Sequence, residues 1–249
     1  MIIFERLVIL GVGLMGGSLA LAAKQASVVG TVVGWSRTDA TLQSALANGV
    51  IDEAQSDLSA ALADADCVVV ATPTTKIEEF LDPVQFADDI ALLKQFRFEQ
   101  GQLVIHTDPS VMPPKRKDWS VLSYMMDRKF TRQQFTVWLN SVEPSLVGKN
   151  AVFQTWQPVT EIDPKKVIST VTLTRAVVDS QTVALNKELQ QRHKSANRKV
   201  FFCGSWSCDG LPILESAVTS AMHIAEIFGA PLPFVGLKPK VEVAPQLGY

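Results

Sequence analysis

A glycine-rich hexapeptide near the start of the chain has the spacing of a phosphate-binding loop. Gly11-Val12-Gly13-Leu14-Met15-Gly16 fits the pattern G-x-G-x-x-G, and it follows an apolar run and opens a helical pattern. In such a loop the first glycine allows a tight turn, the second lets backbone N–H groups approach a pyrophosphate, and the third lets the helix pack on the strand. The phosphate then lies at the positive end of the helix dipole. All six residues are therefore predicted to bind a dinucleotide.

The residues after the next apolar run indicate which dinucleotide is bound. An Asp or Glu there accepts hydrogen bonds from ribose hydroxyls, but this chain has Ser36, Arg37 and Thr38. Two small hydroxyl side chains leave room for a phosphate, and Arg37 can pair with it through a bidentate, charge-assisted contact. These residues favour NADP over NAD; the alternative is that Arg37 is only a solvated loop charge.

His106 is the candidate catalytic residue. It ends an apolar run beside Thr107 and Asp108, and an imidazole can donate or accept a proton near neutral pH. The alternative is a histidine that caps a turn. No metal site is expected, because the other histidines are scattered along the chain and Cys203 and Cys208 lack a second pair of ligands.

The elements that position the glycine loop have the pattern of a parallel sheet. Short β-branched runs at Leu7–Leu10, Thr31–Gly34 and Cys67–Ala71 alternate with helical patterns at about 13–26 and 39–48. The runs are apolar throughout, which predicts that helices cover both faces of the sheet. We therefore expect an α/β fold with a Rossmann-like, doubly wound parallel sheet.

A smaller α+β lobe is predicted further along the chain, inserted before the last strand and helix of the sheet. A strand is expected at Leu103–His106, and the antiparallel strands of the lobe are expected at Phe135–Leu139, Ala151–Trp156 and Lys166–Leu173. Lys199–Cys203 and Leu214–Phe228 are then predicted to return to the parallel sheet as its last strand and helix. The expected domains are residues 1–95 with 199–230, the lobe at 96–198, and an extended tail at 231–249.

The stretch from Phe4 to Pro73 closely resembles the nucleotide-binding half of prephenate and arogenate dehydrogenases. The phrases that carry the resemblance are GVGLMGGSLALA, VVGWSR, ATLQSALANGVIDEA and DADCVVVATP. The resemblance implies oxidative decarboxylation of a cyclohexadienyl substrate with hydride transfer to NAD(P), and it places Thr72 and Pro73 beside the nicotinamide. The family usually has Asp where Ser36 stands, which again favours NADP. No histidine of this chain precedes a proline, as the family's catalytic histidine does.

From about Val69 onward the chain resembles the C-terminal part of flavin-containing amine oxidoreductases. The resemblance is carried by HTDPSVMP from His106, by VFFCGSW from Val200, and by ESAVTS from Glu215. It implies an alternative in which FAD is the cofactor and Gly204 and Glu215 lie near the flavin. Neither of these two families has its complete set of catalytic residues in this chain, so nucleotide binding without turnover is a third hypothesis.

The composition of the chain limits the classes of partner that the protein can bind. The 249 residues carry 23 Lys and Arg against 25 Asp and Glu, so the net charge of −2 gives no broad positive field for nucleic acid. Glycines interrupt the apolar stretch Leu7–Ala23, which argues against a membrane anchor. Three cysteines, two of them in apolar runs, are typical of a reducing compartment, so we expect a cytoplasmic protein. Its expected partner is a small-molecule substrate. A second copy of the chain, in a homodimer, is a further candidate partner.

Overall fold

The computed structural model describes residues 2–230, which divide into two compact units between Leu93 and Lys94. The division lies close to the predicted boundary at residue 95. Residues 199–230 belong to the second unit, whereas we assigned them to the nucleotide-binding domain. The predicted tail at 231–249 lies outside the described residues.

The first unit contains a parallel sheet flanked by helices. Its strands are β1 (Phe4–Leu10), β2 (Val29–Trp35), β3 (Glu53–Gln55) and β4 (Cys67–Val70). Its helices are α1 (Leu14–Gln25), α2 (Asp39–Ala47), α3 (Leu58–Leu62) and α4 (Ala87–Leu93). The strand order is β3-β2-β1-β4, with every pair parallel. This order is that of the first half of a doubly wound sheet, and it confirms the predicted Rossmann-like α/β fold.

Both faces of this sheet are covered. On one face Leu7, Ile9 and Val32 pack with Leu42 of α2. On the other face Val8, Leu10 and Val33 pack with Ala61 of α3. Successive strand residues point to opposite faces, so a strand that is buried on both sides must be apolar at every position. This is why β1 and β2 have continuous apolar runs rather than alternating ones.

The second unit contains an antiparallel sheet. Its strands are β5 (Phe98–His106), β6 (Leu122–Met126), β7 (Gln133–Trp138), β8 (Phe153–Trp156) and β9 (Val167–Ala176). Their order is β6-β7-β8-β5-β9. Two helices follow, α5 (Ser180–His193) and α6 (Leu214–Ile227). The predicted antiparallel lobe is therefore present, and α5 is a helix that we did not predict.

The predicted last strand at Lys199–Cys203 is absent, which corrects the expected sheet. The residues of this segment form no ladder; the Phe202 N–H instead donates to His193 Nε2 of α5 at 3.1 Å. The Phe201 ring packs against the end of α5 and the residue after α6, with 5.6 Å to His193 and 4.8 Å to Phe228 between ring centroids. An apolar run alone does not distinguish a strand from a loop that fills a core. In this loop a side chain accepts the hydrogen bond from a backbone N–H that would pair with a neighbouring strand in a sheet.

Candidate functional site

The glycine loop joins β1 to α1, and two of its glycines are required by the protein's own packing. Gly11 has φ of +97°, and a Cβ placed there would lie 2.8 Å from the Ala71 carbonyl oxygen. A Cβ on Gly16 would clash with the Gly11 carbonyl oxygen and lie 2.8 Å from Ile9 Cγ2. The first and third glycines therefore allow the tight turn and the close packing of α1 on β1 that the sequence pattern predicts.

The middle glycine has no such packing reason. Gly13 has an ordinary φ of −87°, and a Cβ placed there would meet no atom within 4 Å. Among the glycines of residues 2–230, no other combines an ordinary φ with open space. Gly13 is also the N-cap of α1, and this helix end has neither a side-chain cap nor an acidic residue in its first turn. The space in front of Gly13 and the positive helix end together form a site that suits an anionic group.

The next two residues of the loop belong to the uncapped end of α1. Leu14 and Met15 are the first residues of α1, with exposed fractions of 86% and 71%. The first N–H groups of a helix lack partners inside the helix, so these two residues can donate to a phosphate without losing an existing bond. Val12 differs, because its side chain is buried in the core between the sheet and α2.

Thr72 and Pro73 follow β4 at the same edge of the sheet. The Ala71 N–H donates to the Leu10 carbonyl oxygen at 2.8 Å, which brings this segment beside the end of β1. Thr72 Cγ2 would lie 3.2 Å from a Cβ on Gly11, and Thr72 Oγ1 is buried without a hydrogen-bond partner. A buried hydroxyl without a partner costs free energy, so it is an uncommon feature in a stable fold. Its place beside the glycine loop fits a polar ligand.

The predicted residues for the adenosine end lie together after β2. The Thr38 N–H donates to Ser36 Oγ at 3.2 Å, and Thr38 is the N-cap of α2. Arg37 is exposed to solvent over 66% of its side chain, and its Nη2 lies 3.0 Å from Glu79 Oε2 in a surface ion pair. Glu79 also contacts Lys76, with 2.5 Å between Nζ and Oε1. Sequence reasoning missed Glu79 and Lys76, since no local pattern links them to a residue about forty positions earlier.

A cavity of about 410 Å³ lies between α1 and α2. Gly13 and Gly17 line one side of it, and Thr41, Ser44 and Asn48 line the other. The cavity borders the glycine loop, but neither Arg37 nor Thr72 lines it. The candidate nucleotide site is therefore defined by the loop and the strand ends, with this cavity adjoining it on the α2 side.

His106, the candidate catalytic residue, is fully buried in the second unit. The Asp108 N–H donates to His106 Nδ1 at 3.1 Å, so the ring proton is on Nε2. Nε2 then donates to Thr155 Oγ1 at 2.8 Å, and Thr155 bonds Thr136 Oγ1 at 2.9 Å. Both ring nitrogens are thus engaged inside the sheet, and this geometry favours a structural role over contact with a substrate.

The electrostatics around His106 keep its ring neutral. Burial lowers the pKa of His106 from its usual value, although the nearby Asp108 carboxylate opposes this. Burial alone would raise the pKa of Asp108. Hydrogen bonds from the Asp163 and Ser110 N–H groups and from Lys166 outweigh it and lower this pKa to about 2. Asp108 is therefore ionised at neutral pH and holds the turn that follows β5.

Gly204 and Glu215, predicted to approach a flavin, belong to the second unit. The Gly204 N–H donates to Ser220 Oγ at 2.9 Å, and its carbonyl oxygen accepts from Ser207 and Ser220. A Cβ on Gly204 would lie 2.9 Å from Trp206 Nε1, so packing explains this glycine. Glu215 is exposed in the first turn of α6, where a carboxylate complements the helix dipole.

Within residues 2–230, no group of three or more His, Cys, Asp and Glu side chains is arranged to hold a metal ion. None of the helices in that part of the chain combines the length and the hydrophobicity needed to cross a membrane.

The sheet order, the glycine loop and the free helix end define the first unit as a Rossmann-like dinucleotide-binding unit. Residues 6–92 match a family model described as NADP oxidoreductase, coenzyme F420-dependent. The match covers most of the first unit and none of the second. It supports a nicotinamide nucleotide as the cofactor and an oxidoreductase type for this unit.

Among the 11 chains of solved structures that match, one example is similar over a part of this chain. It is prephenate dehydrogenase from A. aeolicus in complex with hydroxyphenyl propionate and NAD+, with 26% sequence identity and a TM-score of 0.28. The similarity covers 30% of this chain and 27% of that chain. No curated protein matches the chain.

Proposed function

We propose that the first unit binds NADP or NAD and that the protein is an NAD(P)-dependent oxidoreductase. The N–H groups at the start of α1 and the space before Gly13 hold the pyrophosphate. Ser36, Arg37 and Thr38 contact the adenosine end, and Thr72 and Pro73 border the nicotinamide. When bound, the nicotinamide supplies a carbon that accepts or donates a hydride.

The open space at Gly13 carries this proposal. Packing explains Gly11 and Gly16, whereas nothing inside the described protein requires a glycine at residue 13. A ligand that approaches the backbone closely gives a reason for the missing side chain, and the uncapped helix end favours an anionic one. The family match over residues 6–92 gives independent support.

A titration of wild type and the Gly13→Ala variant with NADPH and NADH tests the proposal. The added methyl group occupies the space in front of the loop, so we expect an affinity loss of about tenfold or more, the order of one lost charge-assisted contact. Gln25→Ala, at the far end of α1, is the control and should bind as wild type does. Equal affinities for Gly13→Ala and wild type would contradict the proposed site.

The reaction we propose is oxidation of a cyclohexadienyl acid with loss of carbon dioxide. The proposal rests on the resemblance of Phe4–Pro73 to prephenate and arogenate dehydrogenases. The measurement is reduction of NADP or NAD in the presence of prephenate and of arogenate. Nucleotide binding without reduction by either acid would remove this substrate class and keep the binding function.

Nucleotide binding without turnover is the second candidate function. It is favoured by the burial of His106, the one acid–base candidate that the sequence offers. FAD, the alternative cofactor, has no support from the matches. A yellow purified protein with a flavin absorption band would favour it, and a colourless protein that binds NADPH would exclude it. Homodimer formation stays a prediction, which sedimentation velocity tests.

A further inference from the structure

Three charged side chains form a cluster beside the predicted adenosine end of the site. Glu79 lies between two cations, with its Oε2 3.0 Å from Arg37 Nη2 and its Oε1 2.5 Å from Lys76 Nζ. All three side chains are largely accessible to solvent, with exposed fractions between 42% and 66%. The cluster has two positive charges and one negative charge, so one positive charge is in excess.

Two segments that follow neighbouring strand ends bring these residues together. Arg37 comes two positions after the end of β2, whereas Lys76 and Glu79 lie on the 3-10 helix Thr74–Phe80 that follows β4. Phe80 holds this helix near β2 through an edge-to-face contact with Trp35, with 5.8 Å between ring centroids. Since β1 pairs with both β2 and β4, the cluster lies at the same sheet edge as the glycine loop.

The position of Glu79 has a chemical consequence for the choice of nucleotide. Hydrogen bonds from Lys76, and then from Arg37, hold the pKa of the Glu79 carboxyl below its usual range, so it is ionised at neutral pH. An ionised carboxylate and a ribose 2′-phosphate are both anions that accept from the same donors. They cannot both keep full contact with Arg37 and Lys76, and their own charges repel each other.

We propose that Arg37, Lys76 and Glu79 together select between NADP and NAD: the two cations bind the 2′-phosphate, and Glu79 competes with that phosphate for both of them. In this arrangement Glu79 reduces the preference for NADP that Arg37 alone would give. The inference rests on the proposed nucleotide site. The inference assigns a second cation, Lys76, and a competing anion, Glu79, to the nucleotide site. Both lie in the segment after β4, whereas Arg37 follows β2.

The other interpretation is an ordinary surface ion pair, and it makes different predictions. Exposed ion pairs contribute little to stability, so variants of Lys76 and Glu79 should unfold much as wild type does under either interpretation. Only selection by the cluster predicts that the two nucleotides respond differently to the same substitution. The discriminating quantity is therefore the ratio of the NADPH and NADH dissociation constants.

The experiment titrates the full-length wild type and three variants with NADPH and with NADH. Glu79→Gln removes the competitor, and we expect NADPH to bind about threefold to tenfold more tightly, the range for an exposed charged contact. Lys76→Gln removes a donor and should weaken NADPH by a similar factor. Neither substitution should change NADH affinity by more than about twofold. Glu78→Gln, which neutralises the adjacent carboxylate, is the matched control and should keep the wild-type ratio.

Each result decides between the interpretations. Opposite changes of the ratio in Glu79→Gln and Lys76→Gln, both shrinking as salt is added, support the proposal. An unchanged ratio in both variants overturns it, and so does a Glu78→Gln effect as large as that of Glu79→Gln. If wild type binds NADPH and NADH while the ratio never changes, the proposed function stands and this inference fails. If wild type binds neither nucleotide, both fail.

Discussion

At the scale of single residues, three glycines of one loop are present for different physical reasons. Gly11 and Gly16 fit where a side chain would meet backbone or the side chain of Ile9, whereas Gly13 faces open space. The sequence pattern predicts all three positions but treats them alike. Only the three-dimensional surroundings of each residue separate a glycine that the protein needs for its own packing from one that leaves room for a ligand.

This difference predicts unlike effects of two similar substitutions. Gly16→Ala should lower the free energy of unfolding by at least about 2 kcal/mol, because the new methyl group overlaps the Gly11 carbonyl oxygen. Gly13→Ala should cost at most about 1 kcal/mol, from the weaker N-cap preference of alanine. Urea unfolding of both variants measures the two costs. Equal losses of stability would show that Gly13 is also needed for packing.

His106 makes stability depend on pH in a known direction. Its pKa is lowered in the folded protein, so below the ordinary value of 6.5 the unfolded chain binds more protons than the folded one. The free energy of unfolding should be unaffected by His106 above that pH and should fall below it. The expected slope is at most about 1.4 kcal/mol per pH unit. Asp108 contributes little above about pH 5, because its pKa is 3.8 in the unfolded chain and about 2 in the folded protein, so its contribution is lost only at lower pH.

The measurement compares urea unfolding of wild type and His106→Asn between about pH 7.5 and about pH 5, a range that includes the ordinary histidine pKa of about 6.5. An Asn can accept the Asp108 N–H but does not titrate, so the variant should be less stable at neutral pH and should show a shallower loss on acidification. Identical slopes in the two proteins would rule out His106 as the source.

At the scale of elements, the parallel strands were predictable and α5 was not. Strands that are buried on both faces can be predicted from continuous apolar runs such as Leu7–Leu10. Helix α5 has a polar composition, and its amphipathic pattern is weak. The sequence signal for its N-terminus consists of only two residues, Asp179 and Thr182, which form a capping box. In it the Asp179 carboxylate accepts from the Thr182 N–H at 3.0 Å. The opposite error at Lys199–Cys203 arose because apolar residues there fill a core without forming a strand.

The cap of α5 gives a test of how much that short signal stabilises the helix. Asp179→Ala removes the acceptor for the Thr182 N–H and should cost about 1 kcal/mol of unfolding free energy. Asp179→Ser keeps an acceptor in the same place and should lose less. Arg97 lies 3.2 Å from Asp179, and this exposed ion pair adds little. A serine variant as unstable as the alanine variant would assign the effect to Arg97 instead of the cap.

At the scale of the whole molecule, the chain consists of two units, and the family match falls on only one of them. The proposed nucleotide-binding residues, from Gly11 to Pro73, lie in the first unit, whereas His106, Gly204 and Glu215 lie in the second. Sequence patterns could assign residues to motifs but could not say which unit would hold residues 199–230. That grouping depends on long-range packing of Phe201 and Phe202 with α5 and Phe228.

Hydrogen exchange with and without NADPH tests which unit binds the nucleotide. Protection should concentrate in residues 6–92, above all at the start of α1, because binding stabilises only the structure that the ligand contacts. The strands β6 to β8 serve as an internal control and should exchange at unchanged rates. Added protection around Gly204 and Glu215 would show that the second unit also contributes to the site.

The position of β5 in its sheet has a consequence for how the protein is made. β5 ends at His106 and pairs with β8 and β9, and β9 begins only at Val167. During synthesis, the first unit has all its strands available once β4 has left the ribosome, whereas β5 must wait for most of the second unit to be translated. Until then its apolar residues and open backbone groups have no partners. Translation speed between β5 and β9, and chaperones that cover that stretch, are therefore expected to affect the yield of folded protein more than events in the first unit do.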